Sequence, residues 1–587
     1  MPRSSVLRAW VVGLLTAVLA GTGLLAAGSA SAAAVPYAPS YHAGIDPYSS
    51  YEAESTCSIA PKPGVVAYRD LLIRTYGSRW NNISRACSAS VSGHEEGRAL
   101  DYGNLATNAT QKAQANALFG WLFATDKHGN KHAMARRLGI QYIQYNNMMW
   151  RAYNASAGWQ PQMMGGKACS TLGASYKTSC HRDHIHTSFS WNGALKKTSY
   201  FTGSFACPQP AAVSAFTQAM PTELLAVPIT PYRLLDTRKA PNACRLAPGG
   251  HLDLKVTGVG GVPSSGVGAV VLNVTGVKPT GAPTYLSAFP AGTAWAGTSS
   301  VNVPTSGNAA ALVTVPVGSG GKVSIRNASR PVDVVVDVVG YFTQNSVGSP
   351  YTPVNAQRVL DTRQSQILPA GVKRTVPVRG SYGVPASAQG VLVNVTATGS
   401  TSSGFVTVAP TIGAAPATSS VNFAAKDTVA NRAVSMLSPD GSLDIYANNS
   451  THVVLDIVGW FGAGGDDLRY NALKPARILD TRNGNGNLGP LQGSTVSVLD
   501  VRGRGGVPED AESVLATFTV TGPTASSYAT AWPDSQAQPG TSDLNVPKGG
   551  TRANLIAPEL SATTGAAALT INVGSANAVL DVLGYFR

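Results

Sequence analysis

The chain has 587 residues, which is enough for several folded domains. Hydrophobic residues make up 44% of it and charged residues only 13%, while 62 glycines and 37 prolines favour turn-rich β structure over helix bundles. The formal net charge is +14, but the sequence has no nucleic-acid-binding motif and no dense Lys/Arg run. We therefore expect an anionic partner other than nucleic acid.

Residues 1–32 have the features of a secretory signal peptide. Arg3 and Arg8 precede an apolar run over residues 9–27, and Ala-Ser-Ala at 30–32 is a small-residue cleavage site. An uncleaved membrane anchor is the competing interpretation, and the small residues after the run favour cleavage. No later stretch is apolar enough to cross a bilayer, so we expect an exported protein without a stable membrane anchor.

The six cysteines indicate disulfide bonds, because an even number of cysteines in an exported chain is typical of a disulfide framework. Six cysteines allow many pairings, so the sequence alone does not fix the connectivity. The pairs we expect are Cys57–Cys87, Cys169–Cys180 and Cys207–Cys244.

The front of the chain has the mixed pattern of an α+β domain. Apolar spacing predicts helices over residues 64–76, 109–124 and 131–138, the last ending at Gly139. Strands are predicted over residues 140–145 and 184–191. Most of the histidines of the chain lie in this region, so any metal or acid–base chemistry is expected here.

The segment SGHEEGRALD places His94 and Asp101 seven residues apart, with Gly97 between them. Because glycine permits a turn that other residues resist, the two side chains can converge on one point. Imidazole and carboxylate are both suitable ligands for zinc. We interpret Glu95 and Glu96 as solvated turn residues.

A second cluster lies in the segment HRDHIHTSFSW. Residues two apart in a strand share a face, so His184 and His186 would line one side while Ile185 and Phe189 pack on the other. Two histidines and one aspartate as ligands leave a position for water, which is typical of a catalytic zinc. A surface histidine cluster that binds stray metal is the plainer alternative.

The spacing SxHxxGxAxD, from Ser92 to Asp101, resembles the signature of the zinc D-Ala-D-Ala carboxypeptidases. The wider group includes lysostaphin-type peptidases and Hedgehog domains. The resemblance covers about residues 40–205 and implies an α+β fold with zinc bound by His94, Asp101 and His186. The substrate that it implies is a peptidoglycan stem peptide or cross-bridge.

The resemblance also implies a general base and a stabilising arginine. The family's usual glutamate, three residues before the last ligand, is Asp183 here, whereas other members use the first histidine of a HxH pair, here His184. Both residues stay open as the base. Arg85 is the best candidate for the arginine that steadies the carbonyl oxygen or the terminal carboxylate, and Arg74 is the second.

Two functions remain open at this point. The first is a secreted zinc metallopeptidase of the D,D-carboxypeptidase or endopeptidase type that cleaves peptidoglycan. The second is a catalytically inactive, zinc-binding wall protein, because Hedgehog-like members bind partners instead. In both cases we expect a monomer that is secreted or wall-associated, with peptidoglycan or another anionic cell-wall polymer as its partner.

Three copies of a long repeat follow the front domain. Each copy opens with an LDTR phrase and closes with a VGYF-like phrase. The opening arginines are Arg233, Arg358 and Arg477, and the closing aspartates are Asp337, Asp456 and Asp581. An inner Val/Asn/Thr phrase holds Asn273 in the first copy and Asn394 in the second, and aligns with Thr519 in the third.

Within each copy, short β-branched runs alternate with Gly, Pro, Ser and Asn turns. We predict three all-β modules, favour antiparallel sandwiches over a propeller-like assembly, and interpret the LDTR residues as an internal Asp–Arg pair. The repeats resemble C-terminal repeats of exported actinobacterial proteins, which implies wall or glycan attachment. The expected boundaries are a signal peptide at 1–32, a front domain at 40–207, a linker at 208–228, and repeats at 229–343, 350–462 and 470–587.

Overall fold

The structure is a computed structural model, and it is built mostly of antiparallel β-sheet with few helices. The prediction of a multidomain, β-rich chain is therefore confirmed. The predicted signal peptide and residues 208–212 and 214 of the predicted linker lie outside the described residues, and no described helix is long and apolar enough to span a membrane. The described residues are 33–37, 41, 44–88, 91–203, 207, 213, 215–239, 244–305 and 307–587.

Local sequence signals mark the ends of two helices of the front region. Helix α1 has Pro63 in its first turn, where the missing N–H costs nothing, and ends at Gly77. Helix α3 ends at Gly139, which is left-handed with φ 71°. The helices are α1 (Pro63–Tyr76), α2 (Ala109–Phe123), α3 (Ala133–Leu138), α4 (Trp191–Ala194) and α5 (Ser199–Thr202).

A six-stranded antiparallel sheet packs with these helices and has the order β1-β2-β8-β3-β4-β5. Strand β8 ends at Phe189, two residues earlier than predicted, because the Ser190 side chain accepts a hydrogen bond from Gly193 N and begins α4. The strands of this sheet are β1 (Asn81–Asn82), β2 (Ala99–Gly103), β3 (Ile140–Tyr145), β4 (Met148–Arg151), β5 (Gln160–Pro161) and β8 (His184–Phe189), while β6 (Met163–Met164) and β7 (Lys167–Ala168) pair with each other separately.

Three disulfides join the cysteines in the predicted pairs. Their Cα atoms are 5.9 Å apart for Cys57–Cys87, 5.5 Å for Cys169–Cys180 and 4.8 Å for Cys207–Cys244. The described residues contain no free cysteine. Three closed disulfides fit an exported protein, since such bonds persist in oxidising compartments.

Each repeat forms two antiparallel sheets that face each other across an apolar core of its own. In the first repeat the sheet orders are β14-β11-β16-β9 and β10-β15-β12-β13, and the other repeats copy this arrangement. The first repeat contains β9 (Leu225–Asp236), β10 (His251–Lys255), β11 (Val267–Val277), β12 (Thr284–Pro290), β13 (Val301–Val303), β14 (Asn308–Pro316), β15 (Lys322–Asn327) and β16 (Asp333–Thr343).

The second and third repeats have the equivalent strands in the same sequence, and the third adds one short strand, β26. The second contains β17 (Tyr351–Asp361), β18 (Lys373–Pro377), β19 (Gly390–Thr398), β20 (Gly404–Ala409), β21 (Val421–Phe423), β22 (Val429–Met436), β23 (Ser442–Ala447) and β24 (His452–Phe461). The third contains β25 (Tyr470–Asp480), β26 (Leu491–Gln492), β27 (Ser497–Asp500), β28 (Ser513–Thr521), β29 (Ser527–Pro533), β30 (Leu544–Val546), β31 (Thr551–Ile556), β32 (Ala566–Ile571) and β33 (Ser575–Phe586).

The three repeats close into a ring rather than standing apart. Strand β14 of the first contacts β21 and β22 of the second, β22 contacts β30 and β31 of the third, and β31 contacts β13 and β14 of the first. A separate apolar core lies between the repeats and includes the rings of Phe342, Tyr351, Tyr470 and Phe586. The predicted modules are thus joined by a shared core that the repeat pattern did not reveal.

Buried amides cross the interfaces between consecutive repeats. Asn394 donates from Nδ2 to the carbonyl of Ser542 at 2.6 Å and accepts at Oδ1 from Asn554 at 3.1 Å. Strand register shows that the third repeat has Thr517 at this position, opposite Asp581, and not Thr519 as the sequence alignment suggested. The alignment was wrong by two residues because the third copy has lost the asparagine.

Candidate metal centre

Strands β2 and β8 bring two of the predicted ligands together. Asp101 lies directly opposite His186 in the antiparallel register, on the same face of the sheet. His186 Nδ1 is 2.7 Å from Asp101 Oδ1. The other face of β8 carries Ile185 and Phe189 into the apolar core, so the alternation predicted for this strand is present.

His94 reaches the same point from the turn that precedes β2. Gly97, in that turn, has φ +66°, and a Cβ atom there would lie 2.3 Å from the carbonyl oxygen of Ala60. The position therefore needs glycine for both backbone angle and space. His94 Nε2 is 3.1 Å from Asp101 Oδ2 and 3.3 Å from His186 Nδ1.

These three buried residues form a group that could hold a metal ion, with ligand atoms all within 4.8 Å of one another. Zinc bonds of about 2.0–2.1 Å in tetrahedral geometry place neighbouring ligand atoms about 3.3 Å apart. The separations among His94, Asp101 and His186 run from 2.7 to 3.3 Å, so only a small outward movement of the ligand atoms separates them from that geometry.

The histidines of this group are oriented by their second ring nitrogens. His94 Nδ1 is 3.1 Å from the carbonyl oxygen of Ile83, and His186 Nε2 is 3.1 Å from Ser188 Oγ. Hydrogen bonds of this kind fix the tautomer and the ring plane of metal-binding histidines. Nε2 of His94 and Nδ1 of His186 are thereby left as the ligand atoms.

The charge state of the group suits a cation. Burial acts to raise the pKa of Asp101, but its close contacts with His186 and His94 hold that pKa well below its usual range. Burial lowers the pKa of His186. An ionised carboxylate and a neutral imidazole are the forms that bind metal.

The two candidate bases, Asp183 and His184, form a hydrogen-bonded pair beside the metal ligands. His184 Nδ1 is 2.8 Å from Asp183 Oδ1, and the other Asp183 oxygen accepts from Thr178 Oγ1 at 2.7 Å. His184 Nε2 lies 3.4 Å from Asp101 Oδ1. His184 therefore presents its Nε2 atom to the centre, while both carboxylate oxygens of Asp183 are engaged by other partners.

Of the two candidate arginines, only Arg85 lies near the centre. Its Nη2 is 3.8 Å from Asp101 Oδ2 and its side chain is 53% exposed, so it can reach both the site and solvent. Arg74 is exposed at the end of helix α1, in its last turn.

Sequence reasoning missed His181, whose ring packs 4.8 Å from that of His184 and 5.5 Å from that of His186. Its Nδ1 is 2.9 Å from Gln162 Oε1, and its backbone is left-handed with φ 55°. Burial lowers the pKa of His181 to about 2, and the nearby His186 adds to the shift. The dense histidine spacing of this segment was the signal that could have found it.

The interpretation of Glu95 and Glu96 as solvated was wrong, because both are buried. Glu95 accepts from the backbone N of Ser92 at 2.9 Å and holds the turn that carries His94. Glu96 pairs with the buried Arg98 and also accepts from the backbone of residues 55 and 56. Adjacent acidic residues in a turn suggested exposure, but their partners come from distant parts of the chain.

Comparison with known proteins identifies one sequence family over the front region. Residues 57–171 match the family described as VldE, C-terminal domain. The VldE match spans about a fifth of the chain and contains His94 and Asp101, but it ends before β8 and therefore omits His186. It assigns no chemistry to the centre.

No curated protein matches the chain. A solved structure titled "Life in the extremes: atomic structure of Sulfolobus Turreted Icosahedral Virus" has 7% identity, covers 65% of this chain and 98% of that chain, and gives a TM-score of 0.14. A likeness at this level carries no argument about fold or function.

Proposed function

We propose that the protein is a secreted, zinc-dependent peptidase that cleaves peptidoglycan stem peptides or cross-bridges. The observation that carries the proposal is the convergence of His94, Asp101 and His186, from a turn and two strands, on one buried point. The SxHxxGxAxD spacing, which resembles that of the zinc D-Ala-D-Ala carboxypeptidases, supports the same assignment. The front domain is accordingly proposed to have the α+β fold of those peptidases.

Zinc fits the donor set better than harder cations, because two imidazoles and one carboxylate are typical zinc ligands whereas calcium and magnesium prefer oxygen. Three protein ligands also match the ligand number of catalytic zinc sites. Bound there, zinc would supply Lewis-acid polarisation of the substrate carbonyl and a water of lowered pKa.

His184 is the general base in this proposal, and Asp183 positions it. The hydrogen bond between Asp183 Oδ1 and His184 Nδ1 places the ring proton on Nδ1, so Nε2 is free to accept a proton from the attacking water. Asp183 is less suited to that role, because both of its oxygens already accept hydrogen bonds. His184 would then return the proton to the leaving amine.

Arg85 is proposed to hold the substrate. Its guanidinium lies at the rim of the centre and is half exposed, so its donors can bind the carbonyl oxygen or the terminal carboxylate of a peptide. As negative charge develops on the carbonyl oxygen, a cation at this place stabilises it. The β repeats are proposed to associate with the wall or its glycans, which would keep the enzyme at its substrate.

Digestion of isolated peptidoglycan by the full secreted chain tests this proposal. We expect one zinc per chain by elemental analysis, and free D-Ala or cleaved cross-links by mass spectrometry of the products. Asp101→Ala should lose both the zinc and the products, since it removes the carboxylate that contacts both histidines. Asp500→Ala, an exposed aspartate in the third repeat, is the matched control and should behave as the unmodified chain.

The outcomes separate the two candidate functions. Zinc at full occupancy with no cleavage of any peptidoglycan would contradict the peptidase and support an inactive, zinc-binding wall protein. A chain that binds no zinc, with unmodified His94 and His186, would contradict both.

A further inference from the structure

Two clefts lie between consecutive repeats, and they are built from equivalent residues. The first, of about 380 Å³, lies between repeats one and two, and the second, of about 220 Å³, lies between repeats two and three. In each, one wall comes from the LDTR segment of one repeat and the other from the short strand of the next repeat and the residues before it, which are Ser-Val-Asn at 420–422 in the second repeat and Asp-Leu-Asn at 543–545 in the third. Strand register makes Thr275 equivalent to Thr396, since each lies opposite a valine of the closing strand, and both line their clefts.

Each cleft contains buried polar atoms that lack a hydrogen-bond partner among the described residues. In the first these are Thr275 Oγ1 and Asn308 Oδ1, and in the second Thr396 Oγ1 and Asn545 Oδ1. The threonines are only 4% and 5% exposed. Buried polar groups are almost always paired, and leaving one unpaired costs about 1–3 kcal/mol. The two clefts share the unpaired threonine at an equivalent position, and each adds an unpaired asparagine oxygen at a different position of the repeat, which points to a ligand that supplies the missing hydrogen bonds.

Each cleft also presents a guanidinium with unused capacity. Arg238 binds Asp236 through Nε and Nη2, and Arg363 binds Asp361 in the same way. Within the described part of the chain, Nη1 of each arginine has no partner, and the two side chains are 42% and 50% exposed. Among the residues that the structure describes, no acidic side chain lines either cleft, so this arginine nitrogen faces no competing carboxylate there.

An aromatic ring completes each cleft. Phe405 lines the first and Tyr528 the second, at equivalent positions of the repeat that follows, and both rings are half-buried. An aromatic face beside hydroxyl and amide groups suits a pyranose ring, which has an apolar face and a polar edge.

We propose that both clefts bind an anionic saccharide, in which hydroxyl groups satisfy the buried threonine and asparagine atoms and a carboxylate or phosphate binds Arg238 in the first cleft and Arg363 in the second. This rests on the wall-association part of the proposed function and names its ligand class and its site. It does not depend on the peptidase chemistry. The arginine two residues before each LDTR phrase keeps its structural role, as Arg358 shows by pairing with Asp456 at 2.9 Å.

Isothermal titration of the full chain tests the proposal with defined compounds. Tri-galacturonic acid supplies sugar rings with carboxylates, and glucose 6-phosphate supplies a sugar ring with a phosphate. Maltotriose is the control with sugar rings but no charge, and inorganic phosphate is the control with charge but no ring. We expect at least one of the two charged saccharides to bind more tightly than both maltotriose and inorganic phosphate. Arg238→Gln and Arg363→Gln should each weaken binding at one cleft by about tenfold or more.

Two further variants guard against misfolding. Tyr528→Leu leaves every Arg–Asp pair intact and should still weaken the second cleft, and Arg587→Gln, an exposed arginine that pairs with Glu223 and Asp510 outside the clefts, should change nothing. Asp101→Ala should bind saccharide normally, so failure of the peptidase and failure of the clefts are separable. Equal binding of maltotriose or of phosphate alone, absence of binding, or full binding by Arg238→Gln and Arg363→Gln would overturn the proposal.

Discussion

Asp101 and His186 lie directly opposite each other on adjacent antiparallel strands, with Asp101 Oδ1 2.7 Å from His186 Nδ1. The β ladder therefore fixes two of the three candidate ligands to each other before any metal binds. His94 has a different support, because it lies in the turn before β2 and depends on the shape of that turn. The turn is accordingly the part of the centre most sensitive to substitution.

Gly97→Ala should weaken both folding and metal binding. The backbone there has φ +66°, and the new Cβ would meet the Ala60 carbonyl oxygen at 2.3 Å, so we expect a loss of more than about 1 kcal/mol in the free energy of unfolding. Urea unfolding and zinc titration measure the two effects. Gly120→Ala, in helix α2 with open space around its Cβ, is the control and should be neutral or slightly stabilising. Unchanged zinc affinity in Gly97→Ala would show that the turn does not position His94.

His184→Gln should lower kcat by about 10²–10⁴-fold while zinc stays bound, because it removes the proposed proton acceptor and leaves the three ligands in place. Asp183→Asn should have a smaller effect on kcat, since it disturbs only the orientation of the ring through the 2.8 Å hydrogen bond. Zinc content and steady-state rates on peptidoglycan peptides separate the two. His128→Gln, on an exposed loop, is the control. If Asp183→Asn proved the more damaging variant, the assignment of the base would have to be reversed.

The local elements were predictable because their signals are local. Pro63, the left-handed Gly139 and the alternation along β8 each act within a few residues, and the structure has helices and strands within about two residues of the predicted ends. The convergence of His94 and Asp101 was expected from the glycine turn between them, but the choice of His186 as the third ligand came only through resemblance. Spacing in the sequence carries no information on strand pairing between residues 85 positions apart.

The long-range features escaped prediction for the same physical reason. Glu96 is buried because Arg98 and the backbone near residue 55 surround it, and no periodicity signals such a partner. The ring of repeats depends on side chains such as Asn394 and Phe586, whose roles are set by contacts between repeats. A repeat pattern reports what each copy shares, and the packing of one copy on another is not part of it.

Phe586→Ala should destabilise all three repeats together. The Phe586 ring lies 4.5 Å from that of Tyr351 and 5.4 Å from that of Tyr470, in the core between the repeats, and removing a buried phenylalanine costs about 3–5 kcal/mol. In calorimetry we expect the three repeats to unfold in a single transition, and Phe586→Ala should shift that whole transition to a lower temperature. Tyr382→Ala, at an exposed turn of the second repeat, should leave the transition unchanged. A shift confined to one of several separate transitions would show that the repeats fold independently.

Asp126→Asn should flatten the acid dependence of stability of the front domain. Burial acts to raise the pKa of Asp126, but hydrogen bonds from Arg137, at 2.9 Å, and Asn130 lower it to about 2. The unfolded chain has a pKa of about 3.9 at this residue, so the folded form gains stability from the ionised carboxylate above that pH and loses it as the pH falls towards 2. Chemical unfolding between pH 5 and pH 2 should show a steeper decline for the unmodified chain than for Asp126→Asn. Asp500→Asn, at an exposed site, should follow the unmodified chain, and parallel curves for Asp126→Asn and the unmodified chain would show that the Arg137 pair does not contribute to stability.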